Sequence, residues 1–180
     1  MRKIFFILVV FFVTANFSFT QETFDDLLLK ARELIANEDY EEAKSVLKLT
    51  ININPVSDEA FFLLGFVYGK LDQPLKEIEF YKSALNINPK YFDALINLGH
   101  VFNKLKKYAD AIYYLNRAKE INDNDSDLYW QLGVAYCGLD QLKSSMRFYQ
   151  KAVDLDPFNK DLEKEYYNIK GVLLQLKLEL

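Results

Sequence analysis

One histidine and one cysteine limit what this chain can catalyse. His100 is the sole imidazole. The two-histidine zinc motif HExxH therefore cannot form, and the local sequence builds no Ser-His-Asp relay around His100. Cys137 is the sole thiol, which excludes an internal disulfide and a cysteine-based metal site. If His100 or Cys137 were reactive, the second titratable group would have to come from elsewhere in the fold. No GxxxxGK[ST] phosphate loop and no GxGxxG turn occurs. Gly65 and Gly69 make a GxxxG spacing, but outside the apolar 20-mer that a membrane dimer needs. The carboxylates are many and read as solvated helix faces. These residues imply no enzyme, no cofactor and no metal. Cys137 reads as a small buried apolar group, with an intermolecular disulfide as the alternative.

The chemistry that remains is recognition. Phe62, Phe66 and Gly69 stand at i, i+4 and i+7, one stripe of a helix. The corresponding residues further along are Ile96, His100 and Asn103, then Trp130, Val134 and Cys137; earlier they are Leu28, Arg32 and Ile35. The stripe mixes large apolar side chains with a few hydrogen-bonding ones, with Asn97 and Gln131 beside it. Aromatic anchors with sparse polar groups suit the capture of a peptide or a helix. The competing reading is that the same side chains only fill contacts between neighbouring helices.

The elements that position this stripe recur at a fixed period. Phe61-Phe62-Leu63-Leu64-Gly65-Phe66-Val67-Tyr68 returns as Leu95-Ile96-Asn97-Leu98-Gly99-His100-Val101-Phe102, and again as Tyr129-Trp130-Gln131-Leu132-Gly133-Val134-Ala135-Tyr136. A small residue and a bulky one four places later follow as Ala43 and Leu47, Ala111 and Leu115, Ser145 and Tyr149; Glu77 with Tyr81 breaks the small position. A further small position holds Ala84, Ala118 and Ala152, and Pro55, Pro89 and Pro157 close three units. Leu64, Gly65 and Tyr68 fall on one side of a helix. Gly inside a helix costs about 1 kcal/mol relative to Ala, so its return in three units implies a close helix approach each time. The spacing predicts first helices over Phe24–Ala36, Asp58–Lys70, Phe92–Lys104 and Ser126–Gly138. It predicts second helices over Tyr40–Ile53, Pro74–Ile87, Tyr108–Ile121 and Gln141–Leu155.

This pattern resembles the tetratricopeptide repeat family, whose signature is W-x₂-L-G-x₂-Y…A-x₃-F…P. The resemblance covers four units, residues 24–57, 58–91, 92–125 and 126–159, the first of them degenerate at Leu27, Lys30, Ala31 and Leu34. It implies an all-α fold: a right-handed α-solenoid of antiparallel helix pairs wound as a superhelix. It also implies that the first helices line a concave groove for a protein or peptide partner. The groove residues would then be Arg32, Phe62, Phe66, Ile96, His100, Asn103, Trp130 and Val134. Some members of the family clamp a C-terminal carboxylate with Lys and Asn. Those places here read Leu28, Arg32, Leu63, Asp93 and Asn97, where only Arg32 and Asn97 could serve, so that ligand is disfavoured.

The two ends carry separate expectations. Arg2, Lys3 and the apolar run from Ile4 to Val13 read as an export signal over residues 1–20. The run is too short for a bilayer span, which needs about 20 apolar residues. Cleavage fits after Ala15 or before Gln21, and the mature protein is expected in the periplasm or outside the cell, without a stable membrane span. Residues 160–180 read as a capping helix on the stripe Leu162, Tyr166, Ile169, Leu173 and Leu176, with Gly171 as an interruption. The alternative is self-association through this leucine-rich end or through the groove, making the protein a structural homo-oligomer. A net charge of −4 without a Lys/Arg stripe argues against nucleic acid. With 51% hydrophobic residues, the chain can bury a core.

Overall fold

The computed structural model describes residues 23–175, and their side chains except at positions 161, 165, 172 and 173. The expected export signal, its cleavage positions and the end beyond 175 lie outside these residues. The described residues form nine α-helices and no strand. In chain order they are α1 Phe24–Ala36, α2 Tyr40–Ile53, α3 Asp58–Lys70, α4 Pro74–Ile87, α5 Phe92–Lys104, α6 Tyr108–Ile121, α7 Ser126–Gly138, α8 Leu142–Leu155 and α9 Lys160–Gln175. The helices pack in successive pairs, and each pair also packs on the next. The result is an all-α solenoid closed by α9.

The helix starts follow local chemistry. Thr23 makes a capping box with Asp26, Ser57 Oγ accepts from Ala60 N, and Asp125 Oδ1 accepts from Leu128 N. Pro74 occupies the first turn of α4, where a missing N–H costs nothing. Helix α8 starts at Leu142, with Gln141 in the capping place.

Each pair is joined by the same tight turn. Glu38, Asp72, Lys106 and Asp140 hold φ of 64°, 54°, 58° and 57°. At each, the next amide donates back across the helix end, as from Asp39 N to Leu34 O at 2.9 Å and from Lys107 N to Phe102 O at 2.8 Å. These are Schellman turns, built here without glycine.

Inside the second, third and fourth pairs, glycine admits a bulky residue of the second helix, while the first pair has Ala31 at that place. A Cβ added to Gly65 would lie 2.7 Å from Tyr81 Cδ1, one on Gly99 2.4 Å from Leu115 Cδ2, and one on Gly133 2.5 Å from Tyr149 Cδ1. Real Cβ atoms do not come that close, so the cost of a helical glycine is offset by close helix packing. The signature aromatics stack on the second helix at the same period: Tyr68 on Phe80 at 5.2 Å, Phe102 on Tyr114 at 5.5 Å, Tyr136 on Phe148 at 5.0 Å.

Helix α9 buries Tyr166 against Met146 and Tyr149, with Ile169 partly buried beside it. It runs unbroken through Gly171, where the expected interruption does not occur. An added Cβ there would meet nothing within 4 Å, so that glycine marks no close approach.

Candidate functional site

Two clefts open among the first helices. The larger, of about 420 Å³, takes residues from all four of them: Ile35 of α1, Phe62, Leu63 and Phe66 of α3, Phe92, Asp93, Ile96 and Asn97 of α5, and Asp125 and Asp127 at the start of α7. The smaller, of about 220 Å³, lies between α3 and α5 and is floored by α4. Phe66, Gly69, Lys70, Glu77, Tyr81, Asn97, His100, Val101 and Lys104 line it. Phe66 belongs to both, and the Lys70 ammonium sits 5.2 Å from its ring centre.

Of the eight residues expected in the groove, four line these clefts: Phe62, Phe66, Ile96 and His100. Phe62 is half-buried, its ring 4.9 Å from Tyr91 and 5.6 Å from Tyr81. Ile96 keeps 8% of its surface exposed. The other four line neither cleft. The Arg32 guanidinium is taken by Glu59, with Nε donating to Oε1 at 3.0 Å, which ties α1 to α3. Asn103 is buried, and its Nδ2 donates to the Gln131 carbonyl at 2.9 Å and to Gln131 Oε1 at 3.2 Å. Trp130 packs against Tyr149 at 4.4 Å, and Val134 packs on the Met146–Tyr149–Tyr166 cluster. For these two, the second helix of their own unit and α9 cover part of the stripe, and both stay partly exposed.

The polar groups connect in a chain across units three and four. Gln131 Nε2 donates to Asp127 Oδ1 at 3.2 Å and approaches His100 Nδ1 at 3.1 Å, while Gln131 Oε1 accepts from Asn103. Asn103 Oδ1 is buried without a partner. Gln131 is thus the hub, although in the sequence it stands beside the stripe. Asn97 Nδ2 donates to the Asp93 carbonyl at 2.8 Å. With Arg32 held by Glu59, neither polar residue of the carboxylate-clamp positions is fully available.

Glu77 is the residue that the sequence pattern marked only as a broken small position. Its carboxyl fills the space opposite Gly69, where an added Cβ would lie 2.6 Å from Oε1. Burial pushes its pKa up to about 7; the positive charge of Lys104 opposes this, Asp72 adds to it, and a hydrogen bond from Tyr81 opposes it. The Lys104 ammonium in turn reaches Asp72 Oδ1 at 3.1 Å. Tyr81, fully buried, has its hydroxyl pKa raised by burial and then by Glu77.

A third concavity, larger than these two, lies elsewhere. Between α8 and α9, about 860 Å³ is bounded by Met146, Tyr166, Lys143, Arg147, Lys151 and Lys170 among others. It draws on one unit and the terminal helix, whereas the other two clefts bring together first helices of several units. Among the described residues no cluster of three His, Cys, Asp or Glu side chains fits a metal ion, and no helix is long and apolar enough to cross a membrane.

Two family models, both described as tetratricopeptide repeat, match the chain: one over residues 92–125, the other over residues 58–91 and 126–159. No curated protein matches the chain. Among solved structures, MamA 41-end from Desulfovibrio magneticus RS-1 is similar at 24% identity and a TM-score of 0.72, covering 86% of this chain and 94% of that one. Pseudomonas aeruginosa pilF aligns at 20% identity and a TM-score of 0.76, over 86% of this chain and 69% of its own. YrrB, described as a TPR protein with an unusual peptide-binding site, aligns at 21% identity and a TM-score of 0.73, over 91% of this chain and 83% of its own. At these identities the likeness establishes the fold.

Proposed function

Because the chain belongs to the tetratricopeptide repeat family, a family of protein-interaction scaffolds, we propose that it is a non-enzymatic scaffold holding a protein or peptide in its first-helix groove. The observation that carries this reading is the larger cleft, which four first helices build together around half-buried Phe62 and Phe66. Half-buried aromatics in a concave site are the usual anchors of an interface. The peptide-binding site named for YrrB, a structural neighbour, supports a peptide as the class of partner. We place the mature protein in the periplasm or outside the cell, on the strength of Arg2, Lys3 and the run that follows. N-terminal sequencing of protein from its own cells should start between Asn16 and Gln21; an intact Met1 would refute export.

The test of the groove is site-specific photo-crosslinking in living cells. A crosslinker at position 66 should label a defined partner, and one at Tyr113, which is 59% exposed on a second helix, should not. Equal labelling from both positions would remove the groove reading. A structural homo-oligomer is the second reading. It is favoured by the complementary charge of the cationic α8–α9 cleft and the acidic residues Asp93, Asp125 and Asp127. Sedimentation at low salt would then show association that high salt dissolves.

A further inference from the structure

We infer that the occupant of the larger cleft is a peptide segment that seats a bulky apolar side chain on Phe62, Phe66 and Ile96 and sets a lysine or arginine against Asp93, Asp125 and Asp127. The inference rests on the groove reading above and specifies the partner's chemistry. The cleft has an apolar floor, and among the described residues no lysine or arginine lines it. Its three carboxylates lack cationic partners. Asp125 Oδ1 accepts only its helix-start amide from Leu128 at 2.8 Å, and Asp127 Oδ1 accepts from the neutral Gln131 amide at 3.2 Å. The Asp93 side chain makes no hydrogen bond or ion pair among the described residues.

The charge of Asp93 is also felt behind the cleft, at Tyr91. Tyr91, whose ring packs on Phe62, has its hydroxyl pKa pushed up to about 12, first by burial and then by Glu59, Asp93 and Asp58, against the opposing charge of Arg32. Like charge lining an apolar concavity focuses the field and raises the local concentration of cations. Among the described residues no His, Cys, Asp or Glu cluster fits a metal ion, and the ligand inferred for the carboxylates is a longer cation. Lysine and arginine fit because their stems lie on apolar surface while the charged heads reach outward. Charge complementarity of this kind sets specificity more than raw affinity.

The test is fluorescence anisotropy on the full protein with labelled peptides of about nine residues, long enough to bridge several side-chain sites. One carries a central Leu-Phe pair flanked by lysines; its twin carries glutamates instead. The lysine form should bind at least about ten-fold tighter at low salt, with the ratio shrinking as salt rises. Asp93→Lys should erase or invert the preference, and Phe66→Gln should abolish binding; circular dichroism melts confirm that both variants fold. Equal affinity for the two peptides, with Phe66→Gln abolishing both, overturns the charge preference and leaves the groove reading intact. Binding that Phe66→Gln does not weaken removes both. Tighter binding of the glutamate twin, no binding of either peptide, or a dimer that Phe66→Gln dissolves each overturns the inference, the last by assigning the cleft to a second copy.

Discussion

Units two and three meet the same packing requirement with the sizes of two residues exchanged. In unit two, Gly69 on the first helix leaves room for Glu77 on the second, and an added Cβ would lie 2.6 Å from its carboxylate. In unit three the equivalent places hold Asn103, 7% exposed, and Ala111, fully buried. The backbone is the same, but the chemistry is not. Unit two puts a carboxyl at the edge of a cleft, and unit three puts an amide into a hydrogen-bond chain through Gln131 to His100. A repeat can therefore change what its groove offers while its helix packing stays fixed, provided that volume is exchanged locally.

The largest expected effect comes from forcing the exchange halfway. Ala111→Glu alone would place a carboxylate opposite Asn103 with no space for it. Overpacking and an unpaired buried charge together should cost about 3 kcal/mol or more in urea unfolding. Adding Asn103→Gly should recover a large part of that loss. A double variant no more stable than Ala111→Glu would break the comparison.

A smaller effect comes from titrating Glu77. Its carboxyl ordinarily titrates near 4.5 and is raised to about 7 in the fold. The folded protein thus holds a proton that the unfolded chain releases between those values. The contribution of Glu77 to stability is fully present below pH 4.5, falls as pH rises through the window, and levels off above about 7. Because the group is partly exposed, solvent screening cuts the effect to about 1 kcal/mol. Glu77→Gln should remove this slope and be the more stable form near pH 8, while an unchanged slope would show that Glu77 is not the titrating group.

The smallest effect concerns the turn that the two units share. Lys106 sits at φ 58°, where a side chain is strained. Lys106→Gly should raise the melting temperature slightly, by about 0.5–1 kcal/mol of stability. The same change at Asp72, with φ 54° in unit two, should also relieve strain, with a gain altered by loss of the exposed contact to Lys104. A loss at Lys106 would contradict the strain.

The fold was legible because its signals are local and repeated. Leu64-Gly65, Leu98-Gly99 and Leu132-Gly133 fix the close approaches, and Pro74 marks a helix start through chemistry within its own turn. The site was less legible, because a stripe gives direction on its own helix and says nothing of what covers it. Trp130 meets Tyr149 and Val134 meets the α9 cluster; Arg32 finds Glu59 far along the chain. Those partners belong to the packing between helices. Glu77 did leave a trace, as the break in an otherwise small position, and its counterpart Gly69 stood in the stripe; only their contact in space joins the two.

The measurement that tests the central claim most directly is the paired readout of binding and melting for Phe66→Gln beside Leu98→Ala. Leu98 is fully buried, and its truncation should cost about 2–5 kcal/mol and lower the melting temperature. Phe66→Gln should melt close to the unaltered protein yet lose capture of the partner crosslinked from position 66, or of the lysine-flanked peptide. If Phe66→Gln unfolds as early as Leu98→Ala, or melts normally and still captures the partner in full, the groove is not where this protein binds.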